Sequence, residues 1–288
     1  MGAIKGAIKG CGLKGCSLNV SNEKLGVLEE FVRMIAKGDM NCLFVFGEGG
    51  VGKTETILRT LETEDVQAVY LNGVVTPLEL YHLLYEHDGK LIVLDDIEGV
   101  LNNPRAVSFL KAATYGYKDK RIICYPTSSP LLRAPESFEF TGKIILCMNQ
   151  FPDNPSLEAL YRRTLYYELR LSLREKITLF RELSQRSYKG IEQNKRNMVC
   201  EYVISRSSEA TKRLSIRELF KSFEIYKANT KDWKKLVCMM LQVDTDIEAY
   251  LKSVRIGSNI NAHIRAFREM TGKSKSTFFR IKRQLGDL

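Results

Sequence analysis

The sequence predicts an α/β fold: a parallel sheet with helices packed on it, followed by helices alone. Three observations carry that expectation. Two short, wholly apolar runs, Cys42-Leu43-Phe44-Val45-Phe46 and Leu91-Ile92-Val93-Leu94, suit strands buried on both faces, and helical stretches lie between them. A glycine-rich turn separates the first run from the helix after it. From Ser172 onward the apolar period is 3.6 and does not revert, which places one or two helical units after the sheet.

The elements follow in order. Leu25, Leu28, Phe31, Val32 and Ile35 recur at spacings of three and four and predict a helix within 21–40. The strand at Cys42–Phe46 leads through the glycine turn to a helix running to about Leu61. Gln67–Leu71 reads as a second strand. Thr76-Pro77 opens a helix through Leu80, Leu83 and Leu84, with proline in its first turn. After the Leu91–Leu94 strand, Pro104 starts a helix bearing Val107, Leu110 and Lys111. Arg121–Tyr125 and Ser137–Phe140, joined by the proline-rich 126–135, read as an inserted hairpin. Lys143–Met148 is a further buried strand. Ser156 is expected to cap a short helix to Arg163, and Tyr166–Leu171 to form the next strand.

With 288 residues the chain can hold one large or two modest domains. No run approaches the ~18 apolar residues of a membrane span, and Met1–Cys16 has no continuous apolar core of a secretory signal, so no membrane partner is expected. Seven scattered cysteines, several within apolar strands, suit free thiols in a reducing compartment, cytoplasmic or nucleoid-associated. Cys11 and Cys16 lack a partner pair at metal spacing. Residues 1–20, rich in glycine and lysine, read as a flexible basic arm. The net charge of +10 is clustered: Lys5, Lys9 and Lys14 stand without an acid, and 252–288 set nine basic residues against Glu269 and Asp287. A neutral body with two basic ends points to a polyanion, nucleic acid first; a solvated tail is the plain alternative.

Gly47-Glu48-Gly49-Gly50-Val51-Gly52-Lys53-Thr54 matches the Walker A pattern G-x-x-x-x-G-K-[ST], between a strand and a helix as that pattern requires. Backbone N–H groups of such a loop cradle phosphates, and the helix N-terminus adds partial positive charge. Lys53 would reach the β- and γ-phosphates of ATP, and the Thr54 hydroxyl would ligate Mg²⁺. Leu91–Leu94 followed by Asp95-Asp96 reads as Walker B, with Asp95 holding the metal through its water shell and Asp96 orienting the attacking water.

Together these motifs resemble those of the AAA+ P-loop ATPases over residues ~21–230. The resemblance implies a sensor 1 role for Asn149, at the end of Lys143–Met148. It implies an arginine finger at Arg163, in preference to Arg162, which would complete a neighbouring subunit's site. It also implies a sensor 2 role for Arg217, within Ser215-Ile216-Arg217-Glu218-Leu219. Self-association into a ring or helical filament, with ATP between subunits, follows from it. Most of that family has Glu where this chain has Asp96; the shorter side chain either draws the backbone closer or lets Glu98 share the role. The Asp-Asp pair and the hairpin also resemble superfamily 3 helicases and related hairpin-bearing AAA+ proteins. A looser resemblance, carried by Tyr81, Leu91–Asp96, Phe109-Leu110-Lys111 and Phe140-Thr141-Gly142-Lys143, runs to ATPases of phages and other mobile elements.

The last sixty residues lie outside that resemblance. Ile260, Ile264, Phe267 and Met270 share one helical face that ends at Thr271-Gly272; Ser274 or Ser276 can cap a second helix carrying Phe278, Phe279, Ile281 and Leu285. Lys273, Lys275, Arg280, Lys282 and Arg283 make this a helix-turn-helix pattern suited to DNA. An ordinary helical hairpin is the plainer alternative. The expected organisation is an arm at 1–20, a nucleotide-binding α/β domain at 21–171, a helical lid at 172–230 and a basic helical DNA-binding unit at 231–288. The expected function is an oligomeric AAA+ ATPase acting on DNA in replication, helicase loading or mobile-element maintenance, alongside a replication or recombination protein. Two alternatives stand: a helicase using the hairpin tip (Thr127, Ser128, Arg133) in a central pore, and a nucleotide-gated DNA-binding regulator that hydrolyses slowly.

Overall fold

The computed structural model describes residues 23–115, 120–127, 130–150, 155–162, 164–208, 211, 214–242, 245–256 and 259–285. The expected arm at 1–20, with Cys11 and Cys16, lies outside them, as do Ser128 and Arg163. So do the side chains of Glu98, Ser156 and Leu285. The chain divides between Ser172 and Leu173 into two compact units.

In the first unit, α1 (Glu23–Lys37) buries Leu25, Leu28, Val32 and Ile35 on one face, with Glu23 in its first turn and Lys37 in its last, as the helix dipole favours. Then come β1 (Cys42–Phe46), α2 (Lys53–Thr63), β2 (Ala68–Asn72), α3 (Pro77–Glu86), β3 (Leu91–Asp95), α4 (Glu98–Leu101), α5 (Pro104–Thr114), β4 (Ile122–Cys124), β5 (Ser137–Glu139), β6 (Lys143–Met148), α6 (Pro155–Tyr161) and β7 (Leu165–Glu168). A capping box between Thr76 and Glu79, with Pro77 just inside, starts α3 where the sequence signal places it. The single turn α4 has no periodic signature and is absent from the sequence reading. Pro155 opens α6, so Ser156 lies within the helix rather than capping it: proline's missing N–H costs nothing at a first helical position. β7 is earlier and shorter than the expected Tyr166–Leu171, although Leu169 N still donates to Phe46 O at 2.8 Å.

Among the described residues the main sheet has five strands in the order β2-β3-β6-β1-β7, every neighbouring pair parallel. β1, β3 and β6 are central and almost wholly buried, which explains their unbroken apolar runs. Their register sets Phe46 beside Met148 and Asp95 beside Cys147. The residues that follow these strands therefore leave the sheet along one edge, its carboxyl edge, where α/β folds place their ligands. Phe44, Ile92, Leu94, Ile144 and Leu146 form one core with Leu80 and Leu110 of α3 and α5.

β4 and β5 pair antiparallel as the expected hairpin, Ile123 opposite Phe138. An aromatic cluster holds it: the Tyr81 ring lies 5.2 Å from Phe109, 5.3 Å from Tyr125 and 5.2 Å from Phe138. Such pairs contribute about 0.5–1.5 kcal/mol each beyond their buried area. Tyr81 OH donates to Pro135 O at 2.6 Å, and Arg133 N donates to His82 Nε2 at 3.0 Å. Both residues of α3 thus grip the proline-rich connection.

The second unit comprises α7 (Leu173–Gln185), α8 (Gln193–Ser205), α9 (Ile216–Ala228), α10 (Trp233–Leu241), α11 (Thr245–Ile256), α12 (Ile260–Thr271) and α13 (Lys275–Leu285). Buried Arg196 donates to Ser184 O at 3.0 Å and to Ile191 O, tying the α7–α8 connection. The Trp233 ring of α10 meets Tyr202 of α8 and Tyr226 of α9. A separate apolar cluster, including Tyr250, Ile264, Phe267, Phe278 and Ile281, joins α11, α12 and α13. Of the face expected on α12, Ile264 and Phe267 are buried while Ile260 and Met270 are exposed. Gly272, at φ +66°, ends α12 in the left-handed conformation that glycine adopts without strain, and Ser274 Oγ accepts from Thr277 N to begin α13.

Candidate functional site

At the carboxyl edge of the sheet, β1 ends in the turn 47–52. Gly47 has φ +141°, and a Cβ there would meet Leu169 O at 2.2 Å. Only a residue without a side chain lets the loop pass that carbonyl. Gly52, also left-handed at φ +97°, is the N-cap of α2 and supplies no side-chain cap, so the first-turn N–H groups face the loop. Lys53 and Thr54 are the first residues of α2. Lys53 is buried; its Nζ donates to Gly47 O at 2.7 Å and Glu48 O at 2.9 Å, with Asn149 Oδ1 at 3.4 Å. Val51 is buried beneath the loop, and Gly49 and Gly50 complete it; a Cβ on Gly49 would come 3.2 Å from Asn149 Oδ1.

β3 brings up the acids. Asp95 is buried and its Oδ2 accepts from Thr54 Oγ1 at 3.0 Å, Tyr70 OH at 2.7 Å and Asn72 Nδ2 at 3.3 Å. Asp96 is exposed and turns off the strand with φ +53°, its N donating to Cys147 O at 3.0 Å. Asn149, just past β6, donates through Nδ2 to Asp96 Oδ1 at 2.7 Å. Asn149 therefore touches Asp96 with one end of its amide and Lys53 with the other. Burial first, and then Asp95, push the Tyr70 phenol above its ordinary range, so it stays a hydrogen-bond donor. Burial first, and then Asp95, likewise push up the Cys147 thiol, which lies 3.7 Å from Thr54 Oγ1.

The donor set suits a magnesium nucleoside triphosphate. A hydroxyl and a carboxylate side by side are hard oxygen ligands of the kind Mg²⁺ takes in small number while keeping its waters. Among the described residues no group of three or more His, Cys, Asp or Glu is placed to hold a metal. The first-turn N–H groups of α2 have no side-chain cap, which suits an anion at the loop.

The sequence-derived residues Lys53, Thr54, Asp95, Asp96 and Asn149 thus meet in one place. Arg163 lies outside the described residues; its neighbour Arg162 is exposed and paired with Glu158 at 2.6 Å. Arg217, second in α9, is exposed in the second unit, its N donating to the cap Ser215 Oγ at 3.2 Å. Sequence reasoning missed Tyr70 and Asn72, whose only signal is their place near the carboxyl end of the strand beside β3.

On the three-helix cluster, Lys275, Arg280 and Arg283 are exposed and Lys282 is half-buried. Lys273 pairs with Asp246 of α11, so part of its charge is answered within the unit. Lys275 Nζ stands 5.8 Å from the Phe279 ring centroid, and Arg283 Nε donates to Phe279 O at 3.5 Å. An open concavity of about 550 Å³ beside α12 is lined by Asn261, Ile264, Arg265, Arg268, Glu269 and Gly272.

No protein-family model matches the chain. An uncharacterized 36.7 kDa protein from the nrdC–mobD intergenic region of Enterobacteria phage T4 is 25% identical over 174 residues, 54% of this chain. The chain spans about half the length of that curated relative, 53%. Among solved structures, a RuvB mutant from Thermotoga maritima matches with a TM-score of 0.50 at 16% identity, over 91% of this chain and 86% of that one. A second, the Thermotoga maritima RuvB Holliday junction branch migration motor, gives 0.49 at 13% over 93% and 88%. Cdc6p from Pyrobaculum aerophilum gives 0.46 at 12% over 93% and 86%. The five-stranded parallel sheet, the glycine loop on its carboxyl edge and the RuvB likeness together give this chain the AAA+ P-loop ATPase fold.

Proposed function

We propose that the chain is an ATPase that couples Mg²⁺-dependent ATP hydrolysis to work on DNA, acting as an oligomer. One observation carries the nucleotide half: Thr54, in the first turn of α2, and Asp95, at the end of β3, stand 3.0 Å apart, with Lys53 and Asn149 beside them. Lys53 would exchange the Gly47 and Glu48 carbonyls for phosphate oxygens, and α2 would point its uncapped N–H groups at the same anion. A bound Mg²⁺ would draw charge from the transferred phosphoryl group. Asp96 would accept the proton of the attacking water while Asn149 holds its carboxylate. Self-association would bring Arg163 to a neighbour's nucleotide, and Arg217 would act as sensor 2.

The DNA half rests on the basic helix-turn-helix pattern, α12-Gly272-α13, with Lys275, Arg280 and Arg283 exposed on it. Free thiols at Cys42, Cys147 and Cys200 fit a reducing compartment. The slow, nucleotide-gated regulator keeps support from one detail. Asp96 stands where the AAA+ resemblance leads one to expect Glu, and its carboxylate is already held by Asn149. ATP turnover measured with and without single- and double-stranded DNA tests the proposal. Mg²⁺-dependent turnover stimulated by DNA supports the motor, and DNA binding gated by ATP without appreciable turnover supports the regulator.

A further inference from the structure

Resting on the Mg²⁺–ATP reading of this site, we infer that Tyr70, seconded by Asn72, is a positioning residue that fixes Asp95 for the metal. Asp95 Oδ2 carries three donors: the Tyr70 hydroxyl at 2.7 Å, the Thr54 hydroxyl at 3.0 Å and the Asn72 amide at 3.3 Å. The shortest comes from Tyr70. Thr54 belongs to the first turn of α2, directly after the phosphate loop, whereas Tyr70 and Asn72 belong to β2, a strand that pairs with β3.

The register explains the arrangement. Asn72 lies directly beside Asp95, and Tyr70 lies beside Val93, two residues back along the same face of the sheet. Gly73 N also donates to Asp95 O at 3.4 Å, so the end of β2 follows the end of β3. A carboxylate anchored at one oxygen from two sides keeps a single rotamer, and its other oxygen then has one direction in which to meet a metal-bound water. Thr54 alone cannot supply that constraint, because its own oxygen would become a metal ligand and shift with it. Tyr70 and Asn72 would touch neither nucleotide nor metal; they act through Asp95. Outer-sphere partners of this kind typically govern metal affinity by 10–100-fold.

The test is nucleotide binding by the full-length protein, read by fluorescence of an N-methylanthraniloyl ATP analogue, in excess Mg²⁺ and in EDTA. The ratio of the two dissociation constants reports the metal's contribution and needs no turnover. Tyr70→Phe removes the hydroxyl and keeps the ring. It is expected to lower the ratio about 10-fold, with the constant in EDTA within twofold of wild type and the Mg²⁺ half-saturation point shifted upward. Asn72→Ala, at an exposed position, is expected to move the ratio the same way by a smaller factor, and it carries the test if Tyr70→Phe does not fold. A purely structural tyrosine would weaken both constants together and lower the melting temperature. Either that pattern or an unchanged ratio in Tyr70→Phe overturns the inference while leaving the ATPase proposal in place. A wild-type protein whose binding is indifferent to Mg²⁺ overturns both.

Discussion

Lys53 turns its ammonium onto the carbonyls of Gly47 and Glu48, holding the phosphate loop closed upon itself. Those contacts are the ones phosphate oxygens would replace, so Lys53→Ala is expected to weaken ATP binding by at least ~2 kcal/mol, about 30-fold, without unfolding the protein. Isothermal titration alongside circular dichroism checks both parts. Asp96→Asn keeps the shape and the Asn149 contact but removes the base, so it should bind ATP normally and turn it over on the order of 10²-fold more slowly. Gly47→Ala is different in kind, since its φ of +141° and the Leu169 carbonyl leave no room for a methyl group. It should cost at least about 1–3 kcal/mol of stability, measured by urea unfolding of the first unit's transition. These residues were legible because Walker A and B are contiguous in the chain and keyed to strand ends. Tyr70 and Asn72 were not, because their meeting with Asp95 depends on β2 pairing with β3, and no local pattern encodes that pairing.

At the scale of elements, the hairpin shows both the reach of sequence patterning and its edge. Two β-rich runs around a proline-rich connection announce β4 and β5, yet nothing announces that His82 of α3 accepts a hydrogen bond from Arg133 N. Burial first, and then the Arg133 guanidinium, hold the His82 pKa below its ordinary value. The unfolded chain therefore takes up this proton at higher pH than the folded one. The stabilisation is fully present above the unfolded value of about 6.5 and is lost as pH falls through the lower folded value. Melting temperatures recorded from pH 7.5 down to 5 should fall more steeply for wild type than for His82→Gln. The C-terminal helices pose a sharper question. The apolar cluster that unites α12 and α13 also includes Ile247, Ala249 and Tyr250 of α11, so deleting the basic segment 252–288 would split one packed unit. Charge reversal is the cleaner probe. Arg280→Glu with Arg283→Glu should weaken duplex binding and reduce the slope of log K against log salt by about 1 for each lost phosphate contact, read by fluorescence anisotropy.

Across the whole molecule, the change from alternating strands and helices to helices alone was plain in the sequence, and the chain parts into two units between Ser172 and Leu173. Wholly apolar strands and a glycine turn are strong signals because a parallel sheet must bury both faces and this loop needs glycine where it passes the Leu169 carbonyl. The one-turn helix α4 and the early start of β7 carried no such constraint and were missed. The central claim is that the nucleotide machinery of the first unit and the basic surface of the second serve one DNA-coupled ATPase. Steady-state ATP hydrolysis by the intact chain, with and without duplex and single-stranded DNA, tests it most directly. Turnover is expected to require Mg²⁺, to rise when DNA is added, and to be lost in Lys53→Ala. Turnover that DNA leaves unchanged, or that Lys53→Ala retains in full, would contradict it.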